Sequence, residues 1–195
     1  MDLSSFLTHS TIKKINSWEE KLNVKVIVTS PSKSRMGVFI PKRNGFHIVR
    51  INNNLNRYSF LITLIHEFAH ASIWDKYGRR VTPHGNEWKD QYRKMMLPFL
   101  NSGSFPEDIL KVLSTHIISP KASTFSDLEL VKVLKKYDDV ISLTVSDLEM
   151  GESFSLSNGK LFIKGAKLRK RFRCFEQQTN KVYLFHPFAE VIRTQ

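Results

Sequence analysis

Two histidines and a glutamate stand close together inside an otherwise apolar stretch of the sequence. His66 and His70 are four residues apart, and Glu67 follows the first of them. Residues four apart lie on the same face of an α-helix, so both imidazoles can reach one metal ion. Glu67 lies about 100° round the helix, where it can act on a water molecule without binding the ion. The pattern predicts a catalytic metal site.

Two histidines do not complete a catalytic zinc site, which takes three protein ligands and leaves a fourth position for water. The nearest downstream candidates are Asp75, His84 and Glu87. Asp75 lies on the same predicted helix, too few residues on to fold back. His84 and Glu87 are three residues apart at the start of the next predicted helix, so either can face the ion. Spacing alone leaves both open.

The elements that must position these residues follow from hydrophobic periodicity and turn signals. Apolar spacing predicts an amphipathic helix over residues 10–22, and short β-rich runs predict three strands. An Asn44-Gly45 pair predicts a hairpin turn between the last two strands. Asparagines before residue 57 and Gly78 bound the helix that carries the chemistry, predicted over 57–76. The three predicted strands are 24–28, 36–40 and 46–51.

Three further helices and a strand-rich tail are predicted downstream. One helix opens near residues 84–86 and is stopped by Pro98. Two more cover 106–117 and 126–137, and the predicted strands beyond them are 154–156, 160–164, 167–175 and 181–185. The chain is therefore predicted to be α+β, with a domain over 1–118 and a helix plus a basic, β-rich appendage over 119–195.

Three segments of the chain together resemble one known family. They are Ile51-Asn52-Asn53-Asn54-Leu55, the stretch from Leu64 to Ala71, and His84-Gly85-Asn86-Glu87-Trp88. Over residues 10–100 the sequence resembles the SprT-like metallopeptidases, whose member Spartan cleaves proteins crosslinked to DNA. The resemblance implies a minimal zincin-like core. It also implies that His84 is the third zinc ligand and that Glu87 is a neighbour that orients it.

The chain departs from this family in its cysteines. Many bacterial members end in a zinc ribbon built from two cysteine pairs, whereas Cys174 is the one cysteine in this sequence. A single cysteine builds neither a disulfide nor a cysteine-rich zinc site. We therefore predict one zinc ion per chain, and we interpret Cys174 as a small buried hydrophobic residue.

The predicted activity is zinc-dependent hydrolysis of peptide bonds. In this interpretation Glu67 is the general base, and His66, His70 and His84 bind the zinc. A second interpretation is a nucleic-acid-binding protein whose metal site is structural or vestigial. A third is peptide deformylase chemistry, which we disfavour because its third ligand is a cysteine upstream of the helix and Cys174 lies far downstream.

The excess of basic residues points to an anionic partner. The formal net charge is +12, and four basic residues alternate near the C-terminus. On one strand these four would share a face and could follow the phosphates of DNA or of a nucleoprotein, although a solvated basic face would give the same pattern. They are Lys167, Arg169, Arg171 and Arg173. DNA-associated proteins are therefore the expected substrates.

The sequence also bears on the compartment. No run approaches the roughly 18 apolar residues that span a bilayer, and the first residues do not form a signal peptide. A cytoplasmic protein that does not enter a membrane is expected.

Overall fold

The chain folds as two compact units, Met1–Asp139 and Val140–Gln195. The computed structural model describes residues 3–32, 35–121, 123, 126–140 and 142–194. Helices and a three-stranded sheet build the N-terminal unit, and an antiparallel sheet builds the C-terminal unit. The predicted α+β class is confirmed.

The N-terminal unit contains five α-helices and three strands among its described residues. They are α1 (His9–Leu22), β1 (Val24–Thr29), β2 (Gly37–Ile40), β3 (His47–Asn52), α2 (Arg57–Tyr77), α3 (Asn86–Leu100), α4 (Glu107–Ile118) and α5 (Leu128–Lys135). The predicted helices and strands of this unit appear in the predicted order, and most bounds differ by one or two residues.

The three-stranded sheet has the order β1-β3-β2. β3 is central, pairing in parallel with β1 and antiparallel with β2. The predicted hairpin is confirmed, because β2 and β3 pair antiparallel across the connection that contains Asn44-Gly45, where Gly45 has a φ of 77°. β2 is consequently an edge strand of this sheet.

Helix α2 runs through the core of the N-terminal unit. At its start, the Asn56 side-chain oxygen accepts hydrogen bonds from the backbone N–H groups of Tyr58 and Ser59, at 3.1 and 2.9 Å. Its end lies at Gly78, where φ is 61°. Phe60, Leu64 and other apolar side chains of α2 are buried, and together they cover nearly every side of the helix. Such all-round burial fixes the orientation of the polar side chains that α2 carries.

Pro98 does not end helix α3, contrary to the sequence-based prediction. The helix continues to Leu100 with Pro98 inside it. Proline removes one backbone N–H. Burial of Met96 and Phe99 against the core holds the last turn in place despite that missing donor.

The last two helices belong to the N-terminal unit. Ile109 and Leu113 of α4 share one buried cluster with Leu130 and Leu134 of α5. A buried His116–Asp127 contact, 2.8 Å between Nδ1 and Oδ2, joins the end of α4 to the start of α5. The division between the units therefore follows Asp139, one helix beyond the expected boundary after residue 118.

The C-terminal unit is a five-stranded antiparallel sheet with the order β7-β6-β5-β4-β8. Its strands are β4 (Ser153–Ser155), β5 (Leu161–Leu168), β6 (Arg171–Glu176), β7 (Val182–Phe185) and β8 (Ile192–Arg193). Phe154, Phe162 and Cys174 form the centre of a separate small core. The interpretation of Cys174 as a buried hydrophobic residue is confirmed, whereas β8 was not predicted.

The predicted single strand over 167–175 is wrong. Residues 169–170 form a two-residue turn between β5 and β6, with Arg169 in the left-handed region at a φ of 47°. Leu168 pairs with Arg171 across this turn. Alternation of basic residues continues through the turn, which is why the sequence resembles one uninterrupted strand.

No helix among the described residues is both long enough and apolar enough to cross a membrane.

Candidate metal centre

Three imidazoles converge at the middle of helix α2. His66 and His70 lie one turn apart, with their Nε2 atoms 3.2 Å from each other. His84 reaches the same point from the connection between α2 and α3, and its Nε2 atom lies 3.1 Å from that of His66 and 2.9 Å from that of His70. The backbone of His84 is left-handed, with a φ of 61°. The fold thus forces the third imidazole toward the other two.

This triangle of nitrogens fits a metal ion. Each ring nitrogen carries either one proton or one lone pair, so three of them about 3 Å apart cannot all hydrogen-bond to each other. Burial lowers the pKa of His66 well below its ordinary value, and His70 and His84 lower it further. Burial likewise lowers the pKa of His70 to about 4, and that of His84 is also lowered. All three rings are held neutral, as zinc ligation requires.

Glu67 lies beside the three histidines and is 7% exposed. Burial raises the pKa of its carboxyl group to about 7, although a hydrogen bond from the Phe39 backbone N–H and the charge of Arg35 both lower it. A carboxylate with a pKa near neutrality is suited to accept a proton and return it. Edge strand β2 thus supplies the group that orients Glu67.

Gly37, the first residue of β2, makes room for this glutamate. A Cβ atom at Gly37 would lie 2.7 Å from Thr63 Cγ2, 2.8 Å from Ile51 Cδ1 and 3.1 Å from Glu67 Cγ. Such distances are shorter than ordinary contacts between carbon atoms. The close approach of β2 to α2 therefore requires glycine at this position.

Trp88 forms the floor behind the three imidazoles. Its ring centroid lies 4.6 Å from that of His66, 5.2 Å from that of His70 and 4.8 Å from that of His84. Tyr92 stacks on the indole at 5.1 Å. Trp88 is buried and packs against all three imidazoles.

A cleft of about 570 Å³ opens in front of the site. His66, Glu67, His70 and His84 line it together with apolar side chains from β2, from α2 and from the connection after α2. Two arginines, Arg35 and Arg79, also line it. Nothing in the local sequence singled out Gly37, Phe39 or these arginines, because their roles arise from contacts between distant segments.

Comparison with protein families decides how this centre is to be classified. The SprT-like family matches residues 7–107, which include Glu67 and the three histidines. The chain belongs to the SprT-like family. It therefore carries a metalloprotease-like domain, and its single cysteine agrees with the absence of a zinc ribbon. Searches of curated proteins and of solved structures gave no match.

Other candidates for the SprT-like site lie outside the cluster. Within the described residues, the group able to hold a metal consists of His66, His70 and His84. Glu87 and Asp75 are both exposed and do not line the cleft. Tyr92, which stacks on Trp88, is fully buried, and burial raises its pKa well above the ordinary value. Tyr92 is a packing residue.

The four basic residues predicted to contact nucleic acid lie in the C-terminal unit of this SprT-like chain. All four are exposed, but the structure distributes them over β5, the turn and β6. Lys167 pairs with Phe172, so it lies on the opposite face of the sheet from Arg171 and Arg173. They form a basic hairpin tip rather than a ladder on one strand.

Proposed function

We propose that the protein is a zinc-dependent peptidase that acts on proteins associated with DNA. The observation that carries the first half is the convergence of three neutral imidazole nitrogens beside a buried glutamate, in a cleft that opens to solvent. Membership in the SprT-like family supports the same activity.

The residues of the site divide the chemistry among them. His66, His70 and His84 would hold the zinc, which supplies Lewis-acid chemistry by polarising a carbonyl group and lowering the pKa of water. Glu67 takes the proton from the attacking water and delivers it to the leaving amine. The Phe39 N–H donates a hydrogen bond to this carboxylate and so restrains its orientation.

Elemental analysis and a cleavage assay test this proposal together. Purified protein without a histidine tag should contain about one zinc per chain, and His84→Ala should lose the metal. The matched variant Glu87→Ala should keep it, because Glu87 lies outside the cluster. Glu67→Gln should retain zinc but fail to digest an unfolded protein. Equal digestion by Glu67→Gln and wild type would overturn the assignment of Glu67.

The proposed association with DNA is supported by the basic hairpin tip. Lys167, Arg169, Lys170, Arg171 and Arg173 lie within seven consecutive residues and are exposed. Their concentration at one end of a hairpin makes a compact positive surface, which attracts phosphates.

Charge reversal at this tip tests the association. Lys170→Glu/Arg173→Glu should weaken binding to a DNA duplex at 50 mM salt, whereas Lys13→Glu/Lys21→Glu, which changes the charge equally on exposed positions of α1, should weaken it less. Equal losses of affinity would mean that DNA binding depends only on the net charge of the protein. Gel-shift titration or fluorescence anisotropy gives the affinities.

A further inference from the structure

Positive side chains outnumber negative ones around the cleft. Apart from the three histidines and Glu67, the ionisable residues that line the cleft in the described part of the chain are Arg35 and Arg79. Neither takes part in an ion pair with a described carboxylate. Both remain available to charges on a bound molecule.

Arg35 marks one end of the cleft, where β2 begins. The buried Asn52 side chain donates a hydrogen bond of 2.9 Å to the Arg35 carbonyl, and the Asn52 backbone N–H donates one of 2.9 Å to the next carbonyl, that of Met36. These two bonds fix the backbone that carries the guanidinium. Its charge is felt by Glu67, whose pKa it lowers. Arg35 is therefore close to where the peptide bond would be cut.

Arg79 marks a second point on the rim and is joined to an aromatic wall. Its guanidinium carbon lies 5.8 Å from the centre of the Trp74 ring. The Trp74 ring meets Phe39 edge to face at 6.4 Å. Ile73 and Val81 extend this wall along the cleft. The result is an apolar surface that ends at the Arg79 guanidinium group.

We propose that the cleft selects peptide segments in which acidic side chains flank a large apolar residue. The apolar side chain lies against Trp74 and Phe39, and the carboxylates meet Arg79 and Arg35. Arginine binds carboxylates through paired hydrogen bonds. Lysine-rich segments are repelled by the same two guanidinium groups. This inference rests on the proposed peptidase function and specifies its substrate class.

Three labelled peptides test the selection. They are identical twelve-residue sequences with a central phenylalanine flanked on both sides by glutamate, glutamine or lysine. Fluorescence anisotropy measures their binding to the zinc-loaded full chain carrying Glu67→Gln, and chromatography measures their cleavage by wild type. The glutamate peptide should bind about tenfold more tightly than the lysine peptide, since exposed charge pairs contribute up to about 1 kcal/mol each.

Variants of Arg35 and Arg79 test whether these two residues cause the difference in peptide affinity. Arg35→Glu and Arg79→Glu should each reduce or reverse the order of affinities, and Arg35→Gln and Arg79→Gln should flatten it. Arg80→Glu is the matched control, because Arg80 is exposed next to Arg79 but does not line the cleft. Zinc content and circular dichroism verify that each variant is folded.

The two readouts separate this inference from the peptidase proposal. Equal binding of the three peptides, or an Arg80→Glu effect as large as that of Arg79→Glu, would overturn the selection of acidic segments. Graded binding without any cleavage by wild type would uphold the selection and overturn the peptidase activity. Graded binding with cleavage in the same order would support both.

Discussion

Glu67 carries a carboxyl group that the fold accommodates more easily when it is protonated. Its pKa is about 7 in the folded protein and 4.5 when exposed. For an acid with a raised folded pKa, the cost to stability is absent below the lower value and complete above the higher one. The metal-free protein therefore bears this cost at neutral and alkaline pH.

Glu67→Gln should accordingly stabilise the metal-free protein at pH 8. The difference between the two pKa values corresponds to about 3 kcal/mol, and glutamine keeps the size of the side chain. Urea denaturation of both metal-free proteins measures the gain, which should shrink between pH 7 and pH 4.5 and vanish below. Equal stability at pH 8 would show that the carboxylate is not buried as described.

Gly37→Ala should separate catalysis from metal binding. The added methyl group would lie less than 3 Å from Thr63 and Ile51 and 3.1 Å from Glu67 Cγ, so it presses on the glutamate side chain but contacts none of the three histidines. We expect zinc content near wild type, a loss of stability of about 1 to 3 kcal/mol and a fall in the cleavage rate of at least about tenfold. Ile40→Ala, on the same strand but outside the cleft lining, is the control. An unchanged cleavage rate would contradict the positioning role of Gly37.

The sequence predicted that His66 and His70 lie together because their signal is local. His66 and His70 are one helical turn apart, and the resemblance supplied His84. Gly37, Phe39 and Arg35 lie about 30 residues before Glu67, and they reach it only after β2 is placed along α2. A single sequence carries no mark of such a contact.

At the scale of elements, Asn56 connects the start of α2 with the end of α5. Besides capping α2, its side-chain amide donates to the Leu134 carbonyl at 3.0 Å and to Asp138 Oδ1 at 2.6 Å. Asn56→Ala should lower the free energy of unfolding by about 1 to 3 kcal/mol, since it removes a cap and leaves buried groups without partners. The exposed Asn53→Ala should change it by less than about 0.5 kcal/mol. Similar values for the two variants would contradict the connection.

Truncation tests whether α5 is part of the metal-binding unit. A chain ending at residue 139 should melt cooperatively and bind zinc. A chain ending at residue 118 lacks Leu130 and Leu134, which are buried against the rest of this core, and it should lose cooperative melting. Circular dichroism and zinc analysis provide the measurements. Equal melting of the two fragments would assign α5 no structural role.

Helices and glycine-containing turns were predicted well because periodicity and turn chemistry report them directly. Gly45 has a positive φ in the predicted Asn44-Gly45 connection, and Gly78 follows the end of α2 as predicted. The hairpin between β5 and β6 was missed because its turn consists of Arg169 and Lys170, which are unusual turn residues. Pro98 was misjudged because tertiary burial outweighs the missing hydrogen bond.

At the scale of the whole molecule, the net charge acts over the longest distance. A net charge of +12 draws polyanions from a distance, and the basic hairpin tip concentrates part of it. DNA affinity should fall linearly on a logarithmic salt axis, and Lys170→Glu/Arg173→Glu should reduce the slope by roughly 2 if each cation meets one phosphate. Titrations between 50 and 200 mM salt measure it. An unchanged slope would place the phosphate contacts elsewhere.

The family match and the folded unit have different lengths. The match ends at residue 107, where α4 begins, whereas the N-terminal unit extends to Asp139. The match covers Glu67 and the three histidines, whereas nearly all of α4 and all of α5 lie beyond it. The helices that complete the core need only be apolar on the correct face, and they are harder to recognise.

The unequal placement of the ligands has a kinetic consequence. Two imidazoles are fixed on buried α2, but His84 lies on a connection and holds a left-handed backbone that costs a non-glycine residue about 1 to 2 kcal/mol. Opening this connection releases one ligand without disturbing the helix. Zinc should therefore pass to a chelator faster than the domain unfolds, with the connection before α3 serving as the exit route of the ion.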